Sequence, residues 1–263
     1  MSRTILVTGA SSGIGGATAA HLASLGHRVY AASRRGSIGP NSKAQPLKMD
    51  VDDEASVTLA IETIQLQAGS IDVVVNCAGF GIAGAIEDTP IALAQAQFNT
   101  NFFGVMRVCR AALPLMRSQG RGLIVNVTSI AGELSLPFQG LYSATKFAVE
   151  GLSEALRVEV RPFGIDVVLV QPGDYKTGFT EARRVVPTDN SAYAARTAKV
   201  VAIAAKDESA GNDPQQVAQL IARIVDTKKP RLRYVVGPAA QEWLMRLRHV
   251  LPGRWLIASH FGE

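Results

Sequence analysis

The chain has 263 residues, 47% hydrophobic and 19% charged, with 27 Lys and Arg against 22 Asp and Glu for a formal charge of +5. That length suits one large α/β domain around a single core, and the apolar runs fall far short of the roughly 20 residues that cross a bilayer. The basic excess is scattered in pairs such as Arg34-Arg35, Arg183-Arg184 and Lys228-Lys229, without interleaved aromatics, and the two cysteines stand in no metal-ligating spacing. No nucleic-acid partner, integral membrane span or metal is therefore expected, and Cys77 and Cys109 read as core thiols.

In chain order, Met1-Ser2-Arg3-Thr4 runs straight into Ile5-Leu6-Val7 with no signal segment, so a cytoplasmic address is expected. Apolar, β-branched runs at residues 5–7, 28–31, 46–49, 71–75, 123–127 and 166–170 predict six strands separated by helical patterns. Several lack in/out alternation, as strands do when both faces are covered. The expected fold is α/β: a Rossmann-like, doubly wound parallel sheet of about seven strands, in a single domain spanning the chain. Gly26 should stop the first helix, Asp52 or Asp53 should cap one near residue 54, and Thr89-Pro90 should supply an N-cap with proline at the first helical position. Residues 174–212 mix an Ala-rich helical pattern with turns such as Thr188-Asp189-Asn190, and a long insertion after a late strand is a candidate substrate lid. Asp213-Pro214 opens another helix, residues 231–236 predict the seventh strand, and an amphipathic tail carries Trp243, Leu244, Leu247, Val250 and Leu251.

The turn after the first strand reads Thr8-Gly9-Ala10-Ser11-Ser12-Gly13-Ile14-Gly15 and opens a helix. Glycines let the backbone turn tightly and approach a pyrophosphate, and the helix N-terminus offers free amides and a partial positive charge. The second strand ends Ala31-Ala32-Ser33-Arg34-Arg35. A carboxylate there would receive the ribose hydroxyls of NAD; instead Arg34 and Arg35 offer guanidinium donors suited to a 2′-phosphate, with Ser33 and Ser12 adding hydroxyls. NADP(H) is the expected cofactor.

Tyr142 and Lys146 lie four apart in a helical pattern and so share a face. A phenol with a pKa of about 10 shuttles protons poorly at neutral pH unless its anion is stabilised, and a neighbouring ammonium does that. Ser129 follows the fifth strand, where a strand end presents its hydroxyl, and Asn101 adds a polar group to an apolar helical stretch.

These features in this order resemble the short-chain dehydrogenase/reductase family: the Gly9-x3-Gly13-x-Gly15 turn, Asp50-Val51 at the adenine, and Asn76-Cys77-Ala78-Gly79, with Cys77 replacing a second asparagine. The tetrad Asn101, Ser129, Tyr142 and Lys146, and Pro172-Gly173 followed by Thr177, complete the likeness over residues 4 to 177. The resemblance implies that Ser129 and Tyr142 hold the substrate oxygen and that Tyr142 gives or takes the proton. It implies that Lys146 lowers the Tyr142 pKa and binds the nicotinamide ribose, that Asn101 holds a water leading to solvent, and that Thr177 touches the carboxamide. Leu136-Pro137-Phe138, residues 146–151, residues 232–237 and Trp243-Leu244 look like the hydroxysteroid and retinol dehydrogenase branch, which implies a fairly large apolar alcohol or ketone. A 3-ketoacyl or broad carbonyl reductase shares the same core, and a protein that senses NADP without catalysis would be expected to break the tetrad. The apolar stretch 102–116 and the helix after Tyr142 imply, by family habit, a homodimer or homotetramer.

Overall fold

The structure is a computed structural model that describes residues 2–39, 42–188 and 191–248. Its strands are β1 (Thr4–Thr8), β2 (Arg28–Ser33), β3 (Gln45–Lys48), β4 (Val73–Asn76), β5 (Ile82–Ala83), β6 (Gly122–Val127), β7 (Ile165–Pro172), β8 (Arg184–Val185) and β9 (Arg233–Val236). Seven of them form one parallel sheet in the order β3-β2-β1-β4-β6-β7-β9, while β5 and β8 pair separately. The α-helices are α1 (Gly13–Ser24), α2 (Glu54–Ala68), α3 (Ile91–Phe98), α4 (Gly104–Gln119), α5 (Gly140–Val160), α6 (Phe179–Ala182), α7 (Ala194–Ala210), α8 (Gln215–Asp226) and α9 (Ala239–Leu247). All six early strands and the seventh expected from sequence are present, with ends shifted by one or two residues.

Covalent alternation explains the two-layered core. Successive side chains of a strand point to opposite faces, so in β1 and β4 Leu6 and Val74 join α2, α4 and α5, while Ile5, Val7, Val73 and Val75 face α1 and α8. Both faces are apolar because both are covered. Full burial of a residue such as Ile64, Met116, Leu22 or Ile221 contributes about 1.5–3 kcal/mol each.

Strand order reverses between β1 and β4, and the carboxyl ends there diverge to leave a crevice. Asp53 caps α2 by accepting from the Ala55 amide at 3.0 Å, and Gly26 takes the positive φ of 88° after α1, both as expected. Thr89 is not a cap. The cap position of α3 is Pro90, and the Thr89 hydroxyl donates instead to the Ala85 carbonyl at 2.7 Å. The helical pattern around Asn101 hides a π-helix over Asn99–Phe103 between α3 and α4.

The Ala-rich helical pattern of segment 174–212 forms α7. The segment also carries α6 and β8, and its two ends meet: the Asn212 amide donates to the Asp174 carbonyl at 3.1 Å and the Lys176 amide to the Asn212 carbonyl at 2.9 Å. Strand β8 fastens it to β5 beside the crevice. Trp243, Leu244 and Leu247 fall in α9, whereas Val250, Leu251, Asp189 and Asn190 lie outside the described residues. Among the described residues no helix is long and apolar enough to cross a membrane, and no cluster of three His, Cys, Asp or Glu could hold a metal ion.

Candidate active site

A cleft of about 590 Å³ runs over the carboxyl ends of the strands. Its first half is lined by Gly9, Ser11, Ser12, Gly13, Ile14 and Gly15 from the turn into α1, by Ser33, Arg34 and Arg35 after β2, and by Asp50 and Val51 after β3. The turn is built for a close approach. A Cβ on Gly15 would sit 2.5 Å from the Gly9 carbonyl oxygen, and Gly9 itself has φ 65°. Ser12 makes no side-chain cap bond and the first turn of α1 has no acidic residue, so its leading amides and dipole face the cleft unopposed. This cradle fits a pyrophosphate. Arg34 and Arg35 are exposed at the far end of the same cleft, in reach of anionic ligand atoms there.

Asn76 and Asn101 are employed outside the cleft, and Ser33, which lines it, also holds its own turn. The Ser33 hydroxyl donates to the Ser37 carbonyl at 3.1 Å and accepts from its amide at 3.2 Å, so it closes the turn in which the arginines sit. Asn76 does not line the cleft; it is 2% exposed and donates to Asn126 Oδ1 at 2.8 Å, joining β4 to β6 in the core. Asn101, 1% exposed on the π-helix, donates to the Phe80 carbonyl at 2.9 Å and Thr145 Oγ1 at 3.1 Å. Both donor hydrogens are thus spent on protein, and its oxygen accepts from the Phe80 amide at 3.0 Å. Asn101 clips the loop after β4 to α5 beside Lys146; its amide has no hydrogen left for the expected water.

The second half of the cleft is lined by Ala78, Gly79, Ser129, Tyr142, Lys146, Pro172, Gly173 and Thr177, all expected from sequence. Ser129 follows β6, and its Oγ accepts from the Ala131 amide at 3.0 Å, capping a short 3₁₀ turn. Tyr142 and Lys146 stand one turn apart on α5, with the ammonium 5.6 Å from the phenol ring centroid. Burial pushes the Tyr142 phenol up to about 12; a hydrogen bond with Ser129 opposes this, Glu208 and Asp174 add to it, and Arg183 counters. Burial draws Lys146 down to about 8 against the pull of Cys77 and Glu150. The Lys146 ammonium donates to the Val127 carbonyl at 3.0 Å, while burial works against its charge. Ser129 is the group that bonds the phenol.

Other residues around the cleft support its loops or wall it. Thr8 Oγ1 accepts from the amides of Cys77 and Ala78, each at 3.1 Å, and so draws the loop after β4 against the glycine turn. The Cys77 side chain is not needed for that bond, so its replacement of asparagine leaves the loop anchored. Both cysteines are free, and burial pushes each thiol up to about 12. Phe80, Leu136, Phe179 and Glu208 wall the end near Tyr142, where the Phe179 ring lies 5.4 Å from that of Tyr142. Glu208 on α7 accepts from Arg183 and Thr180, tying α6 to α7. Leu136 belongs to a stretch the sequence already singled out, whereas no local motif announces Phe80, Phe179 and Glu208, the last two of which come from segment 174–212.

Residues 3–186 match the family model described as short chain dehydrogenase. A 3-ketodihydrosphingosine reductase of Bacteroides thetaiotaomicron is 46% identical over 252 residues, covering 94% of this chain and 93% of the relative. A short-chain dehydrogenase from Streptomyces avermitilis superimposes with a TM-score of 0.83 at 35% identity, over 95% of this chain and 93% of that one. A short-chain dehydrogenase/reductase from Burkholderia phymatum, solved in complex with NAD, gives 0.81 at 26% identity over the same shares, 95% and 93%. With the glycine turn, the strand order and the serine–tyrosine–lysine cluster in one cleft, the chain belongs to the short-chain dehydrogenase/reductase family of nucleotide-binding oxidoreductases.

Proposed function

We propose that this protein is an NADP(H)-dependent carbonyl reductase that interconverts a ketone or aldehyde and its alcohol on a fairly large apolar substrate. The observation that carries the proposal is the Ser129–Tyr142 hydroxyl pair at the inner end of the cleft, next to a buried lysine. The amides of Gly13, Ile14 and Gly15 would hold the pyrophosphate, Arg34 and Arg35 the 2′-phosphate, Asp50 and Val51 the adenine. Lys146 would hold the nicotinamide ribose, with Pro172, Gly173 and Thr177 at the carboxamide. When bound, the nicotinamide supplies or accepts a hydride. The Ser129 and Tyr142 hydroxyls orient the carbonyl oxygen and stabilise the charge that grows on it. Tyr142, kept neutral by burial, donates the proton to that oxygen, and the Lys146 ammonium then steadies the phenolate left behind.

The absence of a carboxylate after β2 supports NADP(H), although the Burkholderia relative was solved with NAD. Phe80, Leu136 and Phe179 support an apolar substrate. The Bacteroides relative is named for reduction of a ketone, which favours the reductive direction and a lipid-like ketone over a steroid or retinoid. We place a homodimer contact on the side of α4 and α5, where Phe103, Phe147, Val158 and Phe163 are exposed.

The experiment is a fluorescence titration with NADPH and NADH, followed by NADPH oxidation with 3-keto lipids, steroids, retinal and small aromatic ketones. Tighter NADPH binding, and turnover that Tyr142→Phe lowers at least about a hundredfold while NADPH still binds, is the expected result. NADH preference would overturn the arginine argument; binding without turnover on every ketone would favour a sensor.

A further inference from the structure

One turn beyond Lys146 on the same face of α5 lies Glu150, a carboxylate only 5% exposed that the chemistry above does not use. Its Oε1 accepts from the Thr128 hydroxyl at 2.7 Å and from Gln171 Nε2 at 3.0 Å. Thr128 precedes Ser129 and Gln171 precedes Pro172, so one carboxylate ties down the ends of β6 and β7 just where they enter the site. Its Oε2 accepts from Arg233 Nε of β9 at 2.8 Å.

Arg233 serves more than one partner. It also meets Glu133 at 3.2 Å, from the loop after Ser129, and Glu154, one turn further along α5; Arg248 reaches Glu133 at 3.4 Å. Arg233 thus bridges carboxylates of α5 to one in the loop after Ser129. Glu150 also acts, one turn back along α5, on the ammonium of Lys146, whose charged form it favours and whose other titratable neighbours are Tyr142 and Cys77. A buried carboxylate favours the charged form of a nearby ammonium, and a guanidinium on the same carboxylate weakens that pull.

We propose that Glu150 is a positioning residue of the active site: it fixes the strand ends that carry Ser129 and Pro172 and, with its charge moderated by Arg233, holds Lys146 in its protonated form. The inference rests on the reading of Lys146 given above, so its test is read without turnover. In isotopically lysine-labelled protein, the Nζ resonance of Lys146, assigned by its loss in Lys146→Met, is titrated with pH. Glu150→Gln keeps an acceptor for Thr128 but removes the charge, so Lys146 should lose its proton at lower pH than in the parent. Arg233→Met strips the counter-charge from Glu150, so Lys146 should lose its proton at higher pH. Opposite shifts support the proposal, whereas a purely structural anchor would leave the titration unmoved or perturb it in the same sense in both variants, and either result overturns it. If one variant does not fold, the sign of the other decides. In turnover with NADPH, the alkaline limb of kcat should follow each shift.

Discussion

Burial moves the two ionisable groups of α5 in opposite senses, Tyr142 up to about 12 and Lys146 down to about 8. The phenol is therefore a neutral donor across the working range, and the lysine is the group whose charge changes near it. For Lys146 the folded value lies below its ordinary 10.5, so below pH 8 the native state carries the full cost of a buried ammonium, and that cost fades as pH rises from about 8 to 10.5. Lys146→Met should accordingly be inactive yet more stable at neutral pH, by on the order of 2 kcal/mol, with the gain shrinking by pH 10. Urea melts at the two pH values measure this; an equal gain at both would mean that packing rather than charge is responsible. At this scale the sequence was legible where a residue type has one use in its context, as with Ser129, Tyr142, Lys146 and the glycines of the turn. It misled where a polar side chain had a choice. Asn76 and Asn101 each found protein partners away from the cleft, because a buried amide must be satisfied and the fold offered a nearer partner than a ligand.

At the scale of elements, continuous apolar runs exposed the strands, since a sheet covered on both faces needs little polar alternation. The π-helix at Asn99–Phe103 left no trace in composition, because an i→i+5 turn differs from an α-turn only in register. The two-residue strands β5 and β8 were equally silent; a pairing that short is set by the loops that deliver it. The insertion carrying α6 and α7 depends on Gly211 at its base, where a Cβ would stand 2.6 Å from the Asp174 carbonyl carbon. Gly211→Val should pry the two ends apart and loosen Phe179 and Glu208 against Tyr142. Steady-state kinetics should show KM rising and kcat falling together, by about tenfold in kcat/KM, with little change in NADPH affinity. A selective loss of NADPH binding would place the insertion's effect at the other end of the cleft.

At the scale of the whole molecule, the parallel sheet sets the nucleotide cradle and the hydroxyl pair at two ends of one crevice, and strand order alone explains why that crevice exists. The exposed aromatic and aliphatic side chains on the α4–α5 side belong to a different surface. Light scattering after size exclusion should report a dimer, and Val158→Glu with Phe147→Glu should shift it towards monomer while leaving the cleft intact. An unchanged mass would move the contact elsewhere.

The joined ends at Asp174 and Asn212 have a further consequence. The main chain between them leaves the seven-stranded sheet and returns to it at one place, and its strand β8 pairs with β5 outside that sheet, so the segment can change without disturbing the register of any strand in the seven-stranded sheet. Descendants of such a chain can acquire new specificities by exchanging one contiguous stretch of coding sequence, a modular route that a pocket assembled from many scattered loops does not offer.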